Sequence, residues 1–178
     1  MILIEIIGGT KTQRDTAEDM VRYTLKKLLP KKRSLEIQIN IKDTLVQEAV
    51  GFCEKISLKE YKIELYNRGD LYQYLTTIAH ELIHLKQYRL QELEDADGRN
   101  IWKGIDKSHL SYKDQPWERE AWKDSIPIAK SFIQEVLNLT IVGAKTLSPR
   151  TMCSFDPEKE LIHIQRTIKK ISDLNEKS

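Results

Sequence analysis

The chain has little of what commonly braces a protein from outside its core. Its 178 residues include two cysteines, Cys53 and Cys153, which stand apart with no pairing pattern. That argues against a disulfide scaffold or a cysteine-based zinc site, agrees with a reducing compartment, and leaves packing as their expected role. No apolar run approaches the roughly 20 residues that span a bilayer, so no membrane partner is expected. Neither sign of charge prevails: 29 Lys and Arg against 27 Asp and Glu leave a formal net charge of +2. Such a balance describes an ordinary soluble surface and gives no reason to expect a nucleic-acid partner. Internal repeats and low-complexity segments are absent. The apolar start, residues 1–7, lacks a basic leader and breaks at Gly8-Gly9, so it reads as a strand rather than a signal peptide. A cytoplasmic location is the default expectation.

Histidine is also scarce, with four in the chain, yet two of them fall in His80-Glu81-Leu82-Ile83-His84. On an α-helix, residues four apart sit about 40° apart around the axis and one turn apart along it. Both imidazoles can therefore reach one metal ion. Glu81 lies about 100° round from His80, placed to touch a metal-bound water rather than to act as a third ligand. This is the geometry of a zinc hydrolase, in which the carboxylate is the general base. The surroundings read as helix. Leu71, Leu75, Ile78, Leu82 and Leu85 recur at spacings of three and four, and Asp70 with Gln73 makes an N-terminal cap after a turn at Asn67-Arg68-Gly69.

Zinc on two histidines needs a third protein ligand. A histidine six residues beyond His84, with a glycine between, is excluded, because those positions are Leu90 and Gln87. The alternative is a glutamate from a second helix expected to start at Pro116, capped by Asp114 or Gln115. There Trp117-Glu118-Arg119-Glu120-Ala121 offers two candidates pointing about 200° apart, so one at most faces the metal. Small Ala121, on the face of Glu118, would allow close helix approach; Glu120 is followed by Asp124, which could orient a histidine. The residues alone leave both open.

The rest of the chain supplies a small α+β frame. Strands are expected over 2–7, 35–41, 51–56 and 61–67, and a helix from Asp15 to Leu29, stopped by Pro30. The clearest strand is Leu35, Ile37, Ile39 and Ile41 alternating with Glu36, Gln38 and Asn40. Lys26, Lys27, Lys31, Lys32 and Arg33 read as charge at a helix end. The metal-site helix is expected to run to about Leu93 and turn at residues 94–98, where Asp95 and Asp97 lack the later glutamate of a calcium loop. Residues 100–115 show no periodicity; His109 there reads as a surface residue, although a loop near the metal could bring His109 or Tyr112 to the oxyanion. Pro127 predicts a kink or break near Ser125. Residues 139–178 form an expected C-terminal extension: a short strand over 139–142, a loop over 147–157, and a helix with the stripe Leu161, Ile164, Ile168 and Ile171 docked on the domain, His163 lying off it.

The set His80-Glu81-x-x-His84, Lys86-Gln87-Tyr88, Trp102-Lys103-Gly104, Tyr112 and Pro116-Trp117-Glu118-x-Glu120-Ala121 resembles the small SprT-like and phage-type metallopeptidases of the gluzincin group. The resemblance covers roughly residues 61–124. It implies a zincin-like domain over 1–138, with a short mixed β-sheet packed on the metal-site helix and a second helix donating a glutamate. That glutamate lies three before an alanine, which maps onto Glu118. The function it implies is peptide-bond hydrolysis on Zn²⁺ held by His80, His84 and Glu118, with Glu81 as general base and a protein or peptide as substrate. The competing expectation is a metal-stabilised module that binds protein or DNA without catalysis, or a protease held latent by its C-terminal segment.

Overall fold

The computed structural model describes residues 1–31, 34–43, 50–66 and 70–137. The turn at 67–69, the basic residues Lys32 and Arg33, Cys153 and all the elements expected over 139–178 lie outside the described residues.

Strand β1 (Ile2–Gly8) leads into helix α1 (Lys11–Leu28), which returns the chain to β2 (Leu35–Lys42), parallel to β1 with Ile4 opposite Ile37. In β2 the alternation is obeyed: Leu35, Ile37, Ile39 and Ile41 are buried and their neighbours are not. The chain then passes β3 (Gly51–Lys55) and turns back through β4 (Glu60–Tyr66), which is antiparallel to β3 and parallel to β2. The resulting sheet has the order β1-β2-β4-β3, so β3 is an edge. The Ser57 hydroxyl closes the β3–β4 hairpin by accepting from the Lys59 and Glu60 amides.

Helix α1 begins four residues earlier than the sequence pattern suggests. Thr10 caps it: its hydroxyl accepts from the Gln13 amide at 3.2 Å, and Gln13 Oε1 accepts from the Thr10 amide at 2.7 Å. This reciprocal pair satisfies two groups that a helix start leaves orphaned. The preceding Gly8 has φ +81°, and a Cβ there would collide with the Ile41 carbonyl oxygen, so the turn needs glycine.

Helix α2 (Leu71–Arg89) carries the two histidines, and the expected Asp70 and Gln73 cap is present in full. Every residue from Ile78 to Leu85 is buried. A helix buried all round must be enclosed on all sides. Here Leu75, Ile78 and Leu82 join a core with Ile37, Ile39 and Ile63 of the sheet, while helix α3 (Pro116–Glu135) adds Ala129, Phe132 and Ile133.

The helix stops at Arg89, short of the expected end. Gln91 takes φ +59°, the Glu92 amide bonds the Gln87 carbonyl and the Gln91 amide bonds that of Tyr88. This two-bond closure normally uses glycine in the left-handed position; a glutamine fills it here, which hid the stop. A three-stranded antiparallel sheet follows, replacing most of the turn expected over 94–98 and reaching into the stretch without periodicity: β5 (Leu93–Ala96), β6 (Arg99–Trp102) and β7 (Ile105–Asp106), with the turn itself confined to Asp97-Gly98. Its two-residue turns are Asp97-Gly98 and Lys103-Gly104, all four residues with positive φ. Such turns match the right-handed twist of the strands they join. Trp102 of this sheet stands 6.2 Å, centroid to centroid, from Trp117 in the first turn of α3.

Helix α3 continues through Pro127, so of the expected kink or break the break does not occur. Proline removes the amide that would bond the Lys123 carbonyl. Both residues lie on the exposed face, where water can take the freed oxygen. Pro116 occupies the first turn as expected, but Gln115 is the cap residue and makes no side-chain capping bond, its side-chain amide nitrogen donating to the Leu110 carbonyl, while Asp114 accepts from the Ser111 hydroxyl.

Candidate metal centre

Three buried side chains converge from two helices. His80 and His84 descend from successive turns of α2, and Glu118 enters from the first turn of α3, their donor atoms all lying within 4.8 Å of one another. Glu118 Oε2 stands 3.3 Å from His80 Nε2 and Oε1 stands 3.3 Å from His84 Nε2, while the two Nε2 atoms are 3.0 Å apart. This group could hold a metal ion. Ala121, with no accessible surface, lies one turn beyond Glu118 and lets α3 approach α2.

Glu120 does something else. Its Oε1 takes the Lys86 ammonium at 2.6 Å, and Lys86 also reaches Glu92 at 3.2 Å. The two glutamates that the sequence left in competition are thus separated by their partners, one facing imidazoles and the other a lysine. His109 is exposed, as expected of a surface residue. Tyr112 is 60% exposed as a residue, yet its hydroxyl is turned inward beside Glu118, and burial of that end, then the contact with the Glu118 carboxylate, raises the phenol above its ordinary value.

Gln87 is the site residue that sequence reasoning missed. Its amide nitrogen donates to the Trp117 carbonyl at 3.1 Å, which turns its Oε1 towards His84 Nδ1 at 2.8 Å. An amide oxygen only accepts, so Nδ1 carries the hydrogen, and in the neutral imidazole Nε2 is left with the lone pair that faces the cluster. The orienting role suggested for Asp124 is filled, for His84, by this glutamine. Its signal was the three-residue spacing from His84 on one helix face. Gln87→Leu is expected to weaken metal affinity by about 10–100-fold with α2 intact, read by competition with a chromophoric chelator.

The groups fit a cation. Glu118 Oε2 and His80 Nδ1 are buried without a hydrogen-bond partner among the described residues. A buried acceptor left unpaired is costly, and a cation among the three ligands would satisfy the oxygen. Burial pushes the Glu118 carboxyl up, but contact with His80, His84 and Tyr112 outweighs it and holds the group well below its ordinary range. Burial lowers His80. It also acts to lower His84, where Glu118, Glu81 and Gln87 together prevail and raise it. Of the two imidazoles, His84 is therefore the one whose protonated form Glu118 favours more, and a metal taking its Nε2 lone pair would compete with that proton.

Glu81 is 4% exposed, and burial, aided by the charge of Glu118, pushes its carboxyl up to about 7. A folded-state pKa above the unfolded value stabilises the chain at low pH, and that contribution is lost as pH rises through the folded value. The metal-free chain is thus expected to lose on the order of 3 kcal/mol between the ordinary value of 4.5 and about 7 through this one group. Glu81→Gln should remove that slope, which urea unfolding across the same pH range measures.

No protein-family model, curated protein or solved structure matches this chain.

Proposed function

We propose that the chain is a zinc-dependent metallopeptidase of zincin-like build, akin to the SprT-like and phage-type gluzincins. The observation that carries this reading is the convergence of His80, His84 and Glu118, with Glu81 on the same helix as the histidines. Two imidazoles and one carboxylate, with positions left open, are a donor set suited to catalytic zinc. Bound there, zinc would lower the pKa of a water towards about 7 and polarise a carbonyl. Glu81 is the proton carrier. Its carboxyl, which burial raises in the metal-free site and a zinc ion beside it would lower again, is the base placed to accept a proton from the attacking water and return it to the leaving amine. The Tyr112 hydroxyl, beside Glu118, is the group nearest to hand for the developing oxyanion.

Peptide as substrate is supported by β3. It is an edge of the sheet that lies against α2, and among the described residues no strand pairs with its outer side, which can take an extended chain. A module in which metal serves the fold alone would have no use for a buried carboxylate beside the ligands, kept there despite its ionisation cost. The test is an unbiased peptide library incubated with the zinc-loaded chain, with new termini read by mass spectrometry. Cleavage that chelation abolishes supports the reading; a zinc-loaded, folded chain that cuts nothing refutes it.

A further inference from the structure

We propose that Gly51 is a positioning residue for Glu81: the side chain missing at the start of β3 sets where the carboxylate sits. The catalytic meaning of this rests on the metallopeptidase reading; the contact itself does not. A Cβ at Gly51 would lie 2.5 Å from Glu81 Oε1, 3.0 Å from Glu81 Cδ and 2.8 Å from Thr77 Cγ2. The φ of Gly51 falls outside the left-handed region, so the backbone does not require glycine here. Gly98 and Gly104 show the opposite case, with positive φ and nothing within 4 Å of an added Cβ. Gly51 is thus a glycine of close approach rather than of turn geometry.

The neighbours explain why that approach matters. Thr77 and Glu81 are one helical turn apart, and together they form the face of α2 that meets the edge strand. Two residues along β3, on the same side, buried Cys53 feels the Glu81 charge. The carboxylate therefore lies between its own helix and the inner side of β3, in space that a methyl group would fill. Of the atoms an added Cβ would meet, the end of Glu81 turns most freely. An alanine at 51 should displace the carboxylate and leave the strand in place. A shift of about 1 Å in a group that must meet a bound water can cost about 10²-fold in rate.

The test is a crystal structure of zinc-loaded Gly51→Ala, with kcat and KM measured beside it. The expected result is a displaced Glu81 carboxylate, zinc retained on unchanged ligands, and kcat lower by about 10²-fold at unchanged KM. Shortening the base by Glu81→Asp should cost less in the Gly51→Ala chain than in the wild type. Glu81 unmoved while β3 retreats, or additive kinetic effects of the two substitutions, would overturn the proposal. Should Gly51→Ala fail to fold, Gly51→Ala combined with Glu81→Ala decides: recovery of folding supports the contact, and failure of both overturns it. A displaced carboxylate in a chain whose wild type cleaves no peptide upholds Gly51 and refutes the hydrolase reading instead.

Discussion

Glu81→Gln is expected to leave a folded chain that still takes up zinc and to cut peptide hydrolysis by about 10²–10⁴-fold. The argument is one of a single lost property. Glutamine matches glutamate in size, so the slot between α2 and β3 stays filled and the approach of Gly51 is undisturbed. Glu81 is not among the three ligands, so the donor atoms of His80, His84 and Glu118 are all retained. What disappears is the ability to accept a proton from water and deliver it to the departing amine. Because the carboxyl is buried and its pKa is pushed up to about 7, the amide should also make the metal-free chain more stable at pH 8, not less. The measurement is cleavage rate beside zinc stoichiometry and melting temperature. Undiminished proteolysis in a zinc-replete variant would remove Glu81 as the base; loss of zinc would mean that it is a ligand.

What could be read from the sequence divides along the range of the interactions. Residues whose neighbours along the chain determine their setting were legible: the period of two from Leu35 to Ile41, the period of three and four from Leu71 to Leu85, and the Asp70 and Gln73 cap. His80, Glu81 and His84 belong to that class, since one helix fixes their relation. Glu118 does not. Whether it or Glu120 meets the histidines depends on the rotation of α3 about its axis, set by Ala121 against α2, Trp117 against Trp102, and the Lys86 ion pair. A sequence pattern carries no such phase between two separate helices.

Other misses had local signals that went unused. Thr10 and Gln13 form a capping box as plain as that of α2, and Asp97-Gly98 is a strong short-range hairpin signal. The small sheet over 93–106 is not legible in the sequence because its strands are too short to show alternation and all their residues but Leu93 are half-buried or exposed. Gln91 is different: a left-handed glutamine ends α2, and nothing in its identity announces that conformation. Pro127 does not end α3, because the cost of proline in a helix depends on whether the carbonyl it strands can reach water. Gln87 and Gly51 show the same limit at the site. Each matters for what stands opposite it in space, Trp117 for the one and Glu81 for the other.

Zinc titrated into the metal-free chain is expected to raise its melting temperature; Glu118→Gln should remove most of that rise, and Glu120→Gln should leave it intact. A ligand that binds only the folded state stabilises it by about 4 kcal/mol when its free concentration is a thousand times Kd. For a chain of this length that corresponds to roughly 8–16 °C, reduced by any zinc the unfolded histidines capture. Glu118 supplies the one negative charge among the three ligands, and it is the group that holds both imidazole nitrogens within 3.3 Å. An amide there loses the charge and one strong donor oxygen, so the differential affinity that drives the shift collapses. Glu120→Gln breaks the Lys86 contact of 2.6 Å, but that pair is partly exposed, with side chains 20% and 23% accessible. Its loss should lower the baseline by about 1 kcal/mol or less and move both the zinc-free and zinc-bound curves together. The two variants therefore separate a change in the increment from a change in the starting point. Equal increments in both would mean that Glu118 is no ligand, and a lost increment in Glu120→Gln alone would transfer the role to the neighbouring acid.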